Sequence, residues 1–243
     1  HLASPVKRIE TIGSASEIHT EQGREIVGRI LVALGRKPNT ANLALDAAGV
    51  KVDEFGFVVT DHKLRSTNKS VFAAGDCTSK TQFTHNADAQ ARVVVQNALF
   101  AATATTAKHI VPHCIYTSPE VAAVGLSERE LVARGVDYDL YRVEFSELDR
   151  GRVQVDTEGF AKVFAKAGSD EILGACIVGR DAGEQLAGIC ILMSNGLGLA
   201  ALGGTILSYP TRSEFLKRLG DGYNRTRMTP FVTKLFAWWL SFT

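Results

Sequence analysis

The chain has 243 residues, 45% of them hydrophobic, a formal net charge of +1 and a mean hydropathy of +0.03. This composition is typical of a globular protein with one large or two modest cores, and the small net charge excludes a surface built to bind nucleic acid. No apolar run reaches about 18 residues, so no membrane-spanning helix is predicted.

Two stretches near the N-terminus have strand patterns. Residues 6–12 alternate around charged side chains, and residues 17–20 are the predicted hairpin partner. The apolar run 30–34 is closed by Gly35 and Arg36, and a short apolar run bounded by Gly and Pro is typical of a buried central strand. We therefore expect an α/β region at this end of the chain.

A second short apolar run, residues 71–74, stops at Gly75 and Asp76. It is predicted to be a buried strand that leaves an acid at its end, which is where ligands bind in open α/β sheets. Asp76 could accept two hydrogen bonds from a ribityl or ribose hydroxyl pair, and Gly75 would let the backbone approach a ligand. The alternative for Asp76 is a carboxylate that caps its own turn.

The next segment, up to residue 100, is predicted to be a helix with Thr84 as its N-cap. A helix start offers free N–H groups and partial positive charge, so it could stabilise an anion or an electron-rich ring edge near Asp76. The residues expected on its apolar face are Ala87, Ala91, Val94, Val95, Ala98 and Leu99.

The sequence changes to a strand-rich pattern near residue 109, which predicts a second, α+β domain. Segments 138–146, 160–166 and 172–178 are predicted antiparallel strands, and segment 150–156 fits either a strand or a loop. Capping boxes are predicted at Ser127 with Glu130 and at Asp181 with Glu184, and the second helix should present Leu186, Ile189, Cys190 and Met193 on one face and stop at Asn195-Gly196.

The four cysteines, Cys77, Cys114, Cys176 and Cys190, include no close pair. Zinc sites and redox motifs need cysteines close together in sequence, so we predict neither, and no metal ligand is assigned. Free, largely buried thiols are the simpler interpretation, and a cytoplasmic location is the default expectation.

The C-terminal tail has Thr229 at a cap position and Pro230 at the first position of a predicted helix. This helix is too short to span a bilayer, although it could lie on one. Packing of its apolar residues against a dimer is the favoured interpretation. One face is expected to carry Val232, Leu235, Phe236 and Trp239.

Segments 35–39, 66–76, 119–128 and 203–214 together resemble motifs of the flavin-dependent pyridine nucleotide-disulfide oxidoreductases, the family of dihydrolipoamide dehydrogenase and mercuric reductase. The resemblance covers most of residues 1–225 and implies a C-terminal portion of such an enzyme. It further implies the roles of the cofactor-binding residues: Asp76, with Gly75, would hold the ribityl chain of FAD, Gly35 and Arg36 would form the exit turn of the NAD(P)-binding domain, and Thr84, His85 and Ala87 would face the flavin pyrimidine.

The resemblance also implies a domain order. Residues 1–38 would end the NAD(P)-binding domain, 39–108 would be the second half of the FAD-binding domain, 109–225 would form the dimerisation domain, and 226–243 would be an amphipathic tail. The implied fold class is α/β followed by α+β, with partial Rossmann-like remnants before a dimerisation domain of antiparallel sheet and helices.

Tyr209 and Glu214 are the candidate catalytic residues. Most disulfide reductases of the family have a histidine where this chain has Tyr209, held by the equivalent of Glu214, and the tyrosine resembles the mercuric reductase branch. A tyrosine is a poor general base at neutral pH, but it can donate a hydrogen bond or offer its oxygen to a metal. The alternative is an interface residue packed beside Pro210, whose peptide bond is cis in the family.

No Gly-x-Gly-x-x-Gly motif and no Cys-x-x-x-x-Cys pair is present in the 243 residues. The mercuric reductase branch also carries a C-terminal cysteine pair, and no cysteine follows Cys190 here. We therefore expect the parent enzyme to use FAD and NAD(P)H, this chain to bind no cofactor tightly and to be inactive alone, and its partners to be a second copy through residues 109–225 and a missing N-terminal half. The alternative is a non-catalytic homodimerisation module with a relic flavin motif.

Overall fold

The computed structural model describes residues 1–242. It begins with an antiparallel meander of three strands, β1 (Arg8–Ile12), β2 (Ala15–Thr20) and β3 (Gly23–Val27), joined by tight turns. The predicted hairpin is thereby confirmed. Strand β3 was not predicted, because its polar segment lacks the alternation typical of a strand.

The two predicted buried strands are wrong. Residues 30–34 have no strand structure and Leu31 is 92% exposed. Within residues 71–74 only an isolated bridge between Phe72 and Arg65 forms. A strand needs a neighbour that pairs its N–H and C=O groups. Among the described residues no strand lies beside residues 30–34, and run 71–74 pairs only with the short segment 64–66. The apolar pattern alone was therefore insufficient to form a strand in either run.

Helix α1 (Thr84–Leu99) is confirmed, but its predicted start and face are not. Phe83 takes the N-cap position and gives no side-chain cap bond, so Thr84 is the first helical residue. Ala91, Val95, Ala98 and Leu99 are exposed. The buried residues are instead Asn86, Gln90, Val93 and Asn97.

Hydrogen bonds explain this polar buried face of α1. The Asn86 amide donates to the Thr81 carbonyl at 2.9 Å, and the Asn97 amide donates to the carbonyls of Lys63 and Ala104 at 3.1 and 3.0 Å. Irregular backbone packs on this face, and its unpaired polar groups need side-chain partners. Polar residues therefore lie where an apolar stripe was expected.

A five-stranded antiparallel sheet follows, with strand order β4-β5-β8-β7-β6. The three predicted strands of this region are confirmed within one or two residues. The strands are β4 (His113–Ile115), β5 (Glu120–Gly125), β6 (Tyr138–Glu144), β7 (Phe160–Lys166) and β8 (Ile172–Gly179).

Helices surround this sheet. The first predicted capping box is confirmed, because Ser127 and Glu130 bond reciprocally. The second is wrong: Asp181 has a φ of +55° and makes no side-chain cap bond. Segment 150–156, whose sequence fits either a strand or a loop, lies largely in a short helix. The helices are α2 (Glu128–Ala133), α3 (Asp149–Val153), α4 (Ala182–Ser194), α5 (Leu199–Gly203), α6 (Glu214–Thr226) and α7 (Pro230–Leu240).

The main hydrophobic core lies between this sheet and helices α4, α5 and α6. Leu186 and Ile189 of α4 are buried, as predicted, Cys190 and Met193 pack against the core while partly exposed, and the helix ends at Asn195. The four cysteines are free and partly exposed rather than fully buried. The largest fully buried side chains of this core include Phe145, Phe215, Leu148, Ile177, Ile189, Leu199 and Leu219.

Helix α7 begins as predicted. The Thr229 hydroxyl accepts a hydrogen bond from the Val232 N–H at 3.3 Å, and Pro230 is the first helical residue. No residue of α7 is buried. Within residues 1–242, no helix combines the length and the hydropathy that crossing a membrane requires.

Candidate functional site

The turn at Gly75 is held against α1. Gly75 has a φ of +80°, and a Cβ at this position would lie 3.1 Å from the Ala87 Cβ. The Gly75 N–H donates to Gln90 Oε1 at 2.6 Å, and the Thr78 hydroxyl donates to the same oxygen at 3.1 Å. A side chain here would be strained and crowded, so glycine is needed for both the turn and the close approach of the helix.

Asp76 directly follows this glycine and forms a salt bridge with Arg36. Arg36 Nη1 lies 2.8 Å from Asp76 Oδ2, and the guanidinium also donates to the Gln82 carbonyl. The Asp76 side chain is 43% exposed. Its carboxylate therefore contacts a residue 40 positions away rather than capping its own turn. Oδ2 faces Arg36, which leaves Oδ1 for a further donor.

The salt bridge brings two predicted site segments together. Gly35 has a φ of +98° and sits in the turn that positions Arg36, so the exit turn and the Asp76 segment form one polar surface. Gln82 completes this surface, because its amide donates to the Asp76 carbonyl at 3.2 Å. Sequence reasoning missed Gln82 and Gln90, since nothing in their local pattern indicates a partner in the Asp76 turn.

The start of α1 provides the other predicted cofactor residues. Thr84 is exposed. His85 Nε2 lies 2.8 Å from the Pro112 carbonyl, which can only accept, so Nε2 carries the proton. The His85 ring also stacks on Phe83 at 5.3 Å between centroids, and Phe83 stacks on His113 at 6.1 Å. The imidazole therefore ties α1 to the second domain, and the groups of this turn that can bind a ligand are the free backbone N–H groups and the exposed Thr84 hydroxyl.

The predicted catalytic residues have different partners. The Tyr209 hydroxyl donates to Asp149 Oδ2 at 2.7 Å, and the tyrosine is 70% exposed. Glu214 is the first residue of α6 and pairs with Arg218 at 2.7 Å, while its Oε2 is buried without a hydrogen-bond partner among the described residues. The peptide bond between Tyr209 and Pro210 is cis.

Asp149 was not foreseen, because the contact spans 60 residues and Asp149 lies beside the segment with an undecided pattern. The hydrogen bond to this carboxylate raises the pKa of the Tyr209 phenol, and the charges of Asp149 and Glu214 act in the same direction. Ionising the phenol would break the bond and place like charges together. Tyr209 is therefore a hydrogen-bond donor at neutral pH.

We predict that Asp149→Asn lowers the pKa of Tyr209 towards the ordinary tyrosine value. The substitution removes the negative charge that favours the protonated phenol while an amide oxygen can still accept its hydrogen bond, and it leaves Glu214 and Arg218 in place. NMR titration of ring-labelled tyrosine measures the pKa, and Tyr209→Phe identifies the signal. A pKa that stays the same or rises in Asp149→Asn would contradict the assigned hydrogen bond.

One further charged cluster lies on the N-terminal meander. Glu10, Glu17 and His19 have ligand-type atoms within 4.8 Å of one another. Both carboxylates are already paired: Arg8 lies 2.9 Å from Glu10, and Arg24 lies 3.2 Å from Glu17. The cluster is thus an ion-pair network, and we assign it no ligand.

Two family models match the chain. Residues 1–91 match the pyridine nucleotide-disulphide oxidoreductases, and residues 111–219 match the dimerisation domain of the same proteins. The first match contains the antiparallel meander and the start of α1, and the second contains the five-stranded sheet with its helices. The chain belongs to the pyridine nucleotide-disulphide oxidoreductase family.

Similar proteins are named for two activities of this family. A dihydrolipoyl dehydrogenase of Thermus scotoductus is 35% identical over 200 residues, which are 82% of this chain and 43% of that protein. A mercuric reductase of Staphylococcus aureus is 33% identical over 215 residues, which are 87% of this chain and 39% of that protein. The chain thus spans less than half the length of these relatives.

A solved structure shows the same arrangement. The HOCl-induced flavoprotein disulfide reductase RclA from Escherichia coli, in its Cu(II) complex, superposes with a TM-score of 0.80 at 29% identity. The superposition covers 89% of this chain and 49% of that one. The fold class and family implied by the sequence motifs are therefore confirmed.

Proposed function

We propose that this chain supplies part of the FAD site and the homodimer interface of an FAD- and NAD(P)H-dependent oxidoreductase. The observation that carries the proposal is the polar surface made by Arg36, Asp76 and the start of α1. These groups come from separate segments of the chain, and each has a chemical use towards a flavin nucleotide. The substrate would be a disulfide, a thiol-bound species or a metal ion.

The geometry supports a role for each of these groups. Asp76 Oδ1 would accept hydrogen bonds from ribityl hydroxyls, while Arg36 fixes the carboxylate through Oδ2. The free N–H groups at the start of α1, which include those of Thr84 and His85, would stabilise negative charge at the pyrimidine edge. Ala87 would line the site without donating, because its N–H is bonded to the Phe83 carbonyl at 3.0 Å. When bound, FAD would accept a hydride from NAD(P)H and pass two electrons on to the substrate.

The second proposed role is dimerisation through residues 109–225. The sheet and helices of this region contain the main core, and the matched family model describes a dimerisation domain. Tyr209 is exposed, so we propose that it reaches the active site of the partner subunit. There its hydroxyl would exchange the bond to Asp149 for a hydrogen bond to the substrate, or would lose its proton to bind a metal ion. Glu214 would act only by positioning, because Arg218 neutralises it.

We propose the cytoplasm as the location of the protein. The four cysteines are free, and unpaired thiols are usual in a reducing compartment.

Joining the chain with a preceding segment that carries the missing motifs tests the proposal. The two polypeptides should be co-expressed, the preceding one with Gly-x-Gly-x-x-Gly and Cys-x-x-x-x-Cys. We expect a yellow complex with flavin absorbance and NAD(P)H oxidation, whereas the 243-residue chain alone stays colourless.

One observation favours a second candidate, a homodimerisation module without a flavin. The runs 30–34 and 71–74 form no strands, whereas the second domain is fully formed. A complex that is colourless and inactive but dimeric would support this candidate and reject the first.

A further inference from the structure

Helix α7 has a broad apolar face. At 3.6 residues per turn, its apolar side chains cover an arc of about 200° around the axis, and a narrow polar arc opposite holds Thr233, Lys234, Ala237 and Ser241. None of the helix is buried by the rest of the described chain. The large exposed side chains of the apolar arc are Phe231, Leu235, Phe236, Trp238, Trp239 and Leu240, and Phe242 follows just after the helix.

The charges near α7 have a single sign. The cationic residues in and before the helix are Arg225, Arg227 and Lys234, and no Asp or Glu follows Asp221 in the sequence. Arg225 and Arg227 are exposed directly before it. A cationic segment joined to an apolar face rich in Trp and Phe has the chemistry of a helix that lies in the headgroup region of an anionic bilayer.

A second copy of the chain fits this face less well. The family model of the dimerisation domain ends at residue 219, eleven positions before α7 begins. In a two-fold symmetric contact both tails present the same patch, so neither would supply an acidic side chain to the cations of the other. The charge of the tail therefore favours an anionic occupant.

We propose that α7 is an interfacial anchor that binds the surface of membranes containing anionic lipids. Its apolar arc would enter the boundary between headgroups and acyl chains, with Lys234 at the edge of that arc reaching the phosphates. Eleven residues make a helix about 16 Å long, much shorter than the hydrocarbon core of about 30 Å, so it would lie flat. This proposal goes beyond the oxidoreductase function and does not depend on it.

The two tryptophans of the chain make a direct test possible, because Trp238 and Trp239 are the only ones and both lie in α7. The full chain would be titrated with vesicles of phosphatidylcholine and phosphatidylglycerol. We expect a blue shift of the tryptophan emission and quenching by brominated lipid. Vesicles of phosphatidylcholine alone should bind much more weakly, and added salt should weaken the binding to anionic vesicles.

Matched variants separate the two components of binding. Leu235→Gln lies within the apolar arc and should lower the partition coefficient about tenfold, whereas Ala237→Gln on the polar arc of the same helix should change it little. Arg225→Gln and Arg227→Gln should each lower it roughly fivefold on anionic vesicles only. None of these side chains is buried, so all variants should fold.

Two results would overturn the anchor. One is an emission spectrum that does not respond to anionic vesicles. The other is a blue shift that depends on protein concentration without lipid and is abolished by Leu235→Gln, which would show that a second copy covers the helix. Equal loss of binding in Leu235→Gln and Ala237→Gln would likewise contradict the assigned apolar arc.

Discussion

Phe215→Ala is expected to lower the free energy of unfolding by about 3–5 kcal/mol, the range for removing a buried phenylalanine ring. Phe215 is 0% exposed and lies in α6, where its ring centroid is 6.1 Å from that of Phe145. The truncation removes apolar contact between α6 and the sheet side of the core and leaves a cavity. Domains of this size are stable by only about 5–15 kcal/mol, so a large part of the stability would be lost.

Urea unfolding followed by circular dichroism measures this effect. Phe231→Ala is the matched control, because the same ring is removed from α7, where Phe231 is 74% exposed; we expect a change within about 0.5 kcal/mol. The midpoint should fall in Phe215→Ala without a large change in slope. Equal effects of the two substitutions would mean that α6 does not organise the core.

The second domain could be predicted well because its signals are local. Strands β6, β7 and β8 follow one another in sequence and are neighbours in the same sheet, so their apolar alternation was sufficient to predict them. The connection between β6 and β7 was not predicted, because it contains the short helix α3. The capping box of Ser127 and Glu130 could likewise be predicted, since both partners lie within one helical turn. Asp181 shows the limit of that rule, because a left-handed backbone conformation at the cap prevents the expected bond.

The first part of the chain could not be predicted from its pattern. A continuous apolar run such as 30–34 becomes a strand only when other strands lie beside it, and the described chain brings none there. For α1 the pattern failed for a different reason. Loop carbonyls pack against one side of α1 and need hydrogen-bond donors. Asn86 and Asn97 supply these donors and are buried there, whereas Val95 is exposed.

The sequence predicted which residues belong to the candidate site but not which of them are in contact. The motifs pointed to Asp76 and Arg36 separately, and their salt bridge joins residues 40 positions apart. The same holds for Tyr209, whose partner Asp149 has no signal in the sequence. Long-range pairs of this kind depend on how the segments pack, and no local sequence pattern predicts them.

Asp76→Ala is expected to weaken FAD binding by about 10²–10⁴-fold in the complex formed with the preceding segment. The substitution would remove two hydrogen bonds from ribityl hydroxyls to a charged acceptor, each worth about 1.5–3 kcal/mol. It also leaves Arg36 without its carboxylate partner. The Kd can be measured by titrating the stripped complex with FAD and following the flavin absorbance.

Asp88→Ala is the matched control for this prediction. Asp88 is also a partly exposed aspartate in a salt bridge, with Arg92 at 3.0 Å on α1, but it has no proposed role towards FAD. Its loss should leave the Kd within about twofold, since exposed ion pairs contribute little. The Kd of Asp76→Asn for FAD should lie between those of the unsubstituted chain and of Asp76→Ala, because an amide oxygen still accepts from a hydroxyl while the charge is absent. If Asp76→Ala and Asp88→Ala affect FAD equally, the Asp76 carboxylate only pairs with Arg36, and the flavin must be held by other groups.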